Sequence, residues 1–265
     1  MSQIVKLRNL SIPQQVLVPM KTNTALDSFI SDRGGLLPSC IYVIVGGAGS
    51  GKTSWSIDTL HKLQTNNPTK KFLYISGEQD EIDNYELSEK IPGLKDLSTL
   101  YLAGCENPKE VISEVFDEGW DAVLIDSLEI IAKRIESTTS LNVKQSYKWV
   151  MDLMFKHKKG GNPSNKYTSF LVIQQATKSG AFKGDSSIEF DTTGMLYVIN
   201  DDEEANRYLI FSKNRRGDNK VKQFYRLSNG RMTYVPRYVE PIVEETPQVT
   251  GIRGEGGFRH SFLTR

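Results

Sequence analysis

The sequence predicts an α/β fold: a mostly parallel, twisted sheet flanked by helices, with antiparallel hairpins toward the C-terminus. Three observations predict it. Short, continuous runs rich in β-branched residues recur along the chain, separated by stretches with helical spacing, the alternation that builds a parallel sheet. A glycine-rich loop joins one of those runs directly to a helical segment. Beyond residue 200 the rhythm changes to paired strands around turn residues.

Taken in order, residues 1–38 mix short apolar groups with polar ones and end in Gly34-Gly35-Leu36-Leu37-Pro38, a turn-rich lead-in. Residues 41–45 (Ile-Tyr-Val-Ile-Val) read as a buried strand, and 53–63 follow the glycine loop with helical character. Residues 72–75 read as a second strand and 100–102 as a short one. Helical spacing returns over 108–118, with Val111, Ile112 and Val115 on one face. Residues 122–125 form another strand, ended by Asp126-Ser127. A helix over 143–156 puts Tyr147, Val150, Met151 and Met154 on one side, and strands follow at 169–173 and 194–199. Hairpin strands at 208–212, 222–227 and 232–235 turn at Gly217-Asp218-Asn219 and Ser228-Asn229-Gly230. Residues from 239 onward show no period. The expected division is a lead-in (1–38), one core domain (39–238) and a flexible tail (239–265).

The composition suits a single large core: 265 residues, 38% hydrophobic and 25% charged. Two cysteines, Cys40 and Cys105, lie far apart and outside any CxxC pair, which argues against a disulfide framework or a zinc site. No apolar run approaches the roughly 20 residues that span a bilayer, and the start lacks a signal-peptide core. A soluble protein of a reducing cytoplasm, without a membrane partner, is the expectation. The net charge of +1 is uninformative, but from Arg207 to Arg237 nine basic residues face a single acid, Asp218, an asymmetry that suits a phosphate-facing surface.

The strongest chemical signal is Gly46-Gly47-Ala48-Gly49-Ser50-Gly51-Lys52-Thr53, followed by Ser54. Backbone N–H groups freed by glycines can wrap a β-phosphate, Lys52 offers a point charge to the β- and γ-phosphates, and the Thr53 hydroxyl can ligate Mg²⁺. ATP and Mg²⁺ are the expected ligands. Asp126 closes a strand where the carboxyl ends of parallel strands gather around a ligand; it either holds the Mg²⁺ water shell or caps a helix. Glu78, beyond Ser76-Gly77, is either the base that orients an attacking water or part of a solvated acidic turn with Asp80, Glu81 and Asp83. Gln174 and Gln175, placed after the strand at 169–173, either sense a γ-phosphate or cap the strand. Lys213-Asn214-Arg215-Arg216-Gly217 is either a finger that stabilises transferring phosphate or a basic surface turn. A finger acting across a subunit interface requires a ring or filament.

Together these segments, with Tyr74-Ile75-Ser76-Gly77-Glu78, Leu124-Ile125-Asp126-Ser127 and Gln175-Ala176-Thr177-Lys178-Ser179-Gly180, resemble the RecA-like P-loop NTPase cores. The resemblance is closest to the bacterial RadA recombination proteins and their short phage relatives, with DnaB-type helicase motors next. It runs from about Thr22 to about Val235, and individually only the glycine loop is specific. It implies a catalytic Glu78, a γ-phosphate sensor at Gln175 and a trans-acting Lys213 with Arg215 beside it. It also implies a homo-oligomer binding single-stranded DNA through loops near 133–144 and 179–189, including Lys133, Arg134, Lys144, Lys178, Phe182 and Lys183. Asp191 matches a position near the end of the second of those loops. The RadA zinc finger and protease-like domain are not among these 265 residues, Gln175 stands where RadA has histidine, and Arg216 where it has an aromatic residue. The function implied is a DNA-dependent ATPase of recombination or replication. The alternatives are a hexameric helicase motor and a KaiC-like ring that uses nucleotide as a switch without DNA.

Overall fold

The computed structural model of the protein describes residues 6–9, 11–77, 79–175, 190–201 and 206–235. Glu78, the proposed DNA contacts Lys178, Phe182 and Lys183, the motif residues from Ala176 to Gly180, and the tail at 239–265 lie outside the described residues.

Nine strands form one sheet: β1 (Ile41–Gly46), β2 (Phe72–Ser76), β3 (Ser98–Tyr101), β4 (Ala122–Asp126), β5 (Ser169–Gln175), β6 (Gly194–Asp201), β7 (Asn206–Asn214), β8 (Lys222–Ser228) and β9 (Arg231–Tyr234). Their spatial order is β3-β2-β4-β5-β1-β6-β7-β8-β9. Neighbours from β3 to β6 run parallel, and β6 to β9 are joined antiparallel. Six helices accompany them among the described residues: α1 (Leu26–Ile30), α2 (Lys52–Asn66), α3 (Glu81–Lys90), α4 (Pro108–Asp117), α5 (Leu128–Thr138) and α6 (Val143–Lys158).

The parallel strands are apolar without interruption because both faces are covered. On one face Tyr42, Ile44, Phe72, Tyr74, Leu124 and Leu171 pack with Trp55, Ile57, Leu60 and Leu63 of α2. On the other, Val43, Val45, Ile75, Ile125, Phe170 and Val172 pack with Ile112 and Phe116 of α4, Ile131 and Ile135 of α5, and Val150 and Met154 of α6. Met20, Leu26, Ile30, Leu36 and Leu37 join the first cluster, so the lead-in contributes to the core. Asp27 fixes its turn by accepting from the Thr22 amide (2.7 Å), the Thr22 hydroxyl (2.8 Å) and the Asn23 amide (3.0 Å).

Three local readings need correction. Lys133 and Arg134 belong to α5 and Lys144 to the first turn of α6, so the stretch 133–144 is two helix ends rather than an open loop. The apolar spacing of Leu128, Ile131, Ala132 and Ile135 buries one face of α5, and regular helix hydrogen bonding takes the backbone. Gln174 and Gln175 do not follow a strand but are the last two residues of β5, held by pairing with Val45 and Gly46. The acids after residue 79 are exposed, as a solvated acidic turn requires, but belong to a helix start: Asp80 caps α3 by accepting from the Asp83 amide at 2.8 Å, with Glu81 and Asp83 in its first turn. No helix of the described residues is long and apolar enough to cross a membrane.

His157, on α6, packs edge-on against Phe116 with ring centroids 5.4 Å apart. Neither of its ring nitrogens has a hydrogen-bond partner among the described residues. Burial, and the charge of Lys156, push its pKa below the ordinary value, against the opposing pull of Asp117, whose Oδ1 lies 3.6 Å from Nε2. The unfolded chain therefore binds this proton more readily than the folded one. The stability carried by the neutral ring is complete above about pH 6.5, the usual histidine value, and declines as pH drops toward the lowered folded one. Melting curves from pH 7 to 5.5 should show stability falling by up to about 1.4 kcal/mol per pH unit from this residue. His157→Phe should flatten that slope, and an unchanged slope would refute the assignment.

Candidate functional site

The glycine loop leaves the carboxyl end of β1 and enters α2 through Gly51, whose φ of +92° begins the helix without any side-chain cap. The first amides of α2 are thus left to meet something outside the helix, which with the helix dipole is the property of an anion site. Gly46 has no room for a side chain: a Cβ would stand 2.5 Å from Ser50 Oγ and 2.7 Å from the Val198 carbonyl. Gly47 and Gly49 face open space, with nothing within 4 Å of the Cβ position, and Gly49 is left-handed at φ +72°. Ser50 Oγ is buried without a hydrogen-bond partner among the described residues. Open backbone, an orphaned hydroxyl and uncapped amides fit a bound polyphosphate.

Lys52 is 9% exposed and donates from Nζ to the Gly46 carbonyl (2.9 Å) and the Gly47 carbonyl (2.7 Å), folded back over the loop it follows. Burial lowers its pKa, and the nearby Asp126 carboxylate acts in the opposite direction. A desolvated cation whose hydrogen bonds go to neutral carbonyls gains from an anion placed beside it.

Thr53, one residue on, donates its hydroxyl to Asp126 Oδ2 at 2.7 Å, across 73 positions of sequence. Asp126 is the last residue of β4, and the cap position of α5 falls to Ser127. The helix-cap reading of Asp126 is therefore excluded. A hydroxyl and a carboxylate oxygen brought together beside the phosphate loop are hard ligands of the kind that hold Mg²⁺ with water and phosphate completing its shell. The same site includes the exit of β2, where the Gly77 amide donates to the Asp126 carbonyl at 2.7 Å.

Gln175 ends β5 in register with Gly46, which puts it beside the loop, and it is exposed, whereas Gln174 is buried. The Tyr147 hydroxyl of α6 donates to Gln174 Oε1 at 2.6 Å, and burial raises the tyrosine pKa far enough that this donor stays protonated. The sequence reading counted Tyr147 only as part of an apolar helix face; its partnership with Gln174 depends on a strand 27 positions away.

Lys213 and Arg215 stand elsewhere. Lys213 pairs with Met195 at the start of β6, whereas the glycine loop departs level with Val198. Strand geometry then separates the Lys213 backbone from Gly46 by about 10 Å along the strands and about 10 Å across them, with Arg215 farther still. Lys213 Nζ and Arg215 Nη2 both reach the Phe190 carbonyl, at 3.1 and 2.6 Å, at the amino end of the parallel strands. Asp191, beside Phe190, is at that end also and is exposed. The loop, Thr53, Asp126 and Gln175 gather at one end of the sheet; the two basic residues occupy the other.

No family model matches the chain. The DNA repair protein RadA of two Mycobacterium tuberculosis strains is 22% identical to it over 184 residues, which cover 69% of this chain and 37% of RadA. The chain therefore spans little more than a third of the length of that relative. Among solved structures, a KaiC-like protein from Pyrococcus horikoshii OT3 superposes with a TM-score of 0.60 at 18% identity, covering 83% of this chain and 99% of that one. The fold is RecA-like, and in sequence the chain is weakly similar to RadA. Its mixed sheet, parallel through β6 and antiparallel beyond, is as the strand–helix alternation and the late hairpins predicted.

Proposed function

We propose that the protein is an oligomeric, Mg²⁺-dependent ATPase that binds single-stranded DNA and acts in recombination or replication. The observation that carries the ATPase reading is the Thr53–Asp126 hydrogen bond, which joins the glycine loop to the strand end where a metal-holding carboxylate is needed. In this reading residues Gly46 to Ser54 cradle the phosphates of ATP, Lys52 neutralises charge on the β- and γ-phosphates, and Thr53 and Asp126 hold the ion. Bound Mg²⁺ supplies positive charge at the phosphate oxygens. Glu78 orients the attacking water, and Gln175 reports the γ-phosphate from its place beside Gly46. Lys213 and Arg215, too far to serve their own loop, complete the site of a neighbouring copy. The DNA role rests on the likeness to RadA, whose name is that of a DNA repair protein, and on the basic stretch from Arg207 onward.

Steady-state ATP hydrolysis with and without single-stranded DNA, at low and moderate salt, tests this. Turnover that rises with DNA and loses that rise as salt increases is expected, because phosphate contacts release counterions. Turnover indifferent to DNA would leave a nucleotide-switched assembly protein, and absence of Mg²⁺-dependent turnover would overturn the ATPase reading. A forked-duplex unwinding assay then separates a helicase from a recombination protein.

A further inference from the structure

Arg134 lies on α5, 57 positions from Gly77, and donates from Nε to the Gly77 carbonyl oxygen. Gly77 is the residue directly before Glu78. Its amide is already held by the Asp126 carbonyl at 2.7 Å. The main chain is thus gripped on both sides of the Gly77 Cα, once by the strand end that bears the metal-holding carboxylate and once by a guanidinium. Gly77 itself is pressed against α5: a Cβ there would stand 3.0 Å from Ile131 Cγ1 and 3.5 Å from Ile130 Cγ2. Helix α5 begins two residues after Asp126, and Ile131 and Ile135 anchor it in the core. The helix that follows Asp126 thus reaches back, about two turns later, to the exit of β2.

We propose that Arg134 is a positioning residue of the ATPase, fixing the exit of β2 at Gly77 against the Asp126 end of β4. A planar guanidinium on a half-buried stem loses little freedom on fixing one carbonyl, and a lysine ammonium would hold the same oxygen less directionally. The grip matters because a misplacement of about 1 Å at the strand ends that line such a site can cost on the order of 100-fold in rate. The DNA-facing role that the resemblance implied for Arg134 is at odds with this inward hydrogen bond. The inference rests on the proposed ATPase reading for its catalytic part, but its structural part stands on the hydrogen bond alone.

Two measurements on Arg134→Ala and Arg134→Lys test it. Amide hydrogen exchange of nucleotide-free protein should show peptides spanning 77–80 exchanging at least about tenfold faster in Arg134→Ala, with β4 peptides unchanged. In turnover, Arg134→Ala should lose about 10- to 100-fold in kcat with the KM for ATP within about twofold, and Arg134→Lys should recover part of the loss. Unchanged exchange at 77–80 overturns the inference whatever the rates. So does unchanged kcat, or a fall in kcat matched by equal losses of nucleotide affinity and melting temperature, which is the mark of general damage. If the wild type hydrolyses no ATP while the exchange difference appears, the ATPase reading fails and the clamp on Gly77 survives.

Discussion

Lys52→Ala is expected to lower ATP turnover by about 100- to 1000-fold while leaving the folded state intact. The magnitude follows from what the residue does for the loop. In the structure its ammonium is desolvated, held by the Gly46 and Gly47 carbonyls, and depressed in pKa by burial. A charge already stripped of water and aimed over open backbone stabilises a developing anion without reorganising, and removal of one such donor typically costs a factor of 100 to 1000. The fold should tolerate the change because the β1–α2 packing is made by Ile44, Trp55, Ile57 and Leu60, not by Lys52. Circular dichroism and thermal melting alongside the turnover assay check both halves. Turnover within tenfold of wild type would mean that the loop is not the catalytic phosphate site.

Asp126→Asn should have the next largest effect, on the order of 100-fold in turnover, with the Mg²⁺ concentration for half-maximal rate moved upward. Asparagine keeps the shape and can still accept from Thr53 through its carbonyl oxygen, so the 2.7 Å link from the loop to β4 need not break. What is lost is the negative charge that competes for a hard cation. The distinguishing sign is nucleotide affinity measured without Mg²⁺, which should be little changed, while affinity with Mg²⁺ falls. If Asp126→Asn kept the wild-type Mg²⁺ dependence, the carboxylate would be a structural acceptor for Thr53 and nothing more.

Much of this architecture was legible before any coordinates because parallel strands buried on both faces read as unbroken apolar runs, and β1, β2, β4 and β5 all do. The glycine loop was legible because its chemistry is local: eight consecutive residues carry it. Two helices were harder. Helix α3 turns Asn84 and Ser88 inward and leaves Ile82 and Tyr85 outward, the reverse of the amphipathic pattern, so no apolar stripe announces it. Its buried face is paid for by polar contacts, Asn84 Nδ2 donating to Ser76 Oγ at 3.2 Å and to the Asp80 carbonyl at 2.9 Å. Helix α5 did have a stripe, Leu128, Ile131, Ala132 and Ile135, and Ser127 at its cap; weighing that spacing above analogy with a DNA loop would have found it.

The site divides in the same way. Thr53 was recognisable from the glycine-loop motif and Asp126 from its strand-end position, yet their contact, the clamp on Gly77 and the Tyr147–Gln174 pair join distant segments and depend on strand order. The separation of Lys213 and Arg215 from the loop depends on register: only the pairing of Gly194 with both Tyr42 and Asn214 shows that the basic turn lies at the opposite end of the sheet.

That separation makes the central claim, one active site assembled from two copies, directly testable by mixing. Lys52→Ala retains its basic turn and lacks a working loop; Lys213→Ala retains the loop and lacks the turn. Each alone should be nearly inactive. In an equimolar mixture that exchanges subunits at random in a head-to-tail assembly, about a quarter of the interfaces would pair an intact loop with an intact turn, and turnover should return to about a quarter of wild type. A mixture no more active than its parts, or a Lys213→Ala protein that keeps full activity alone, would contradict a site completed by the neighbour.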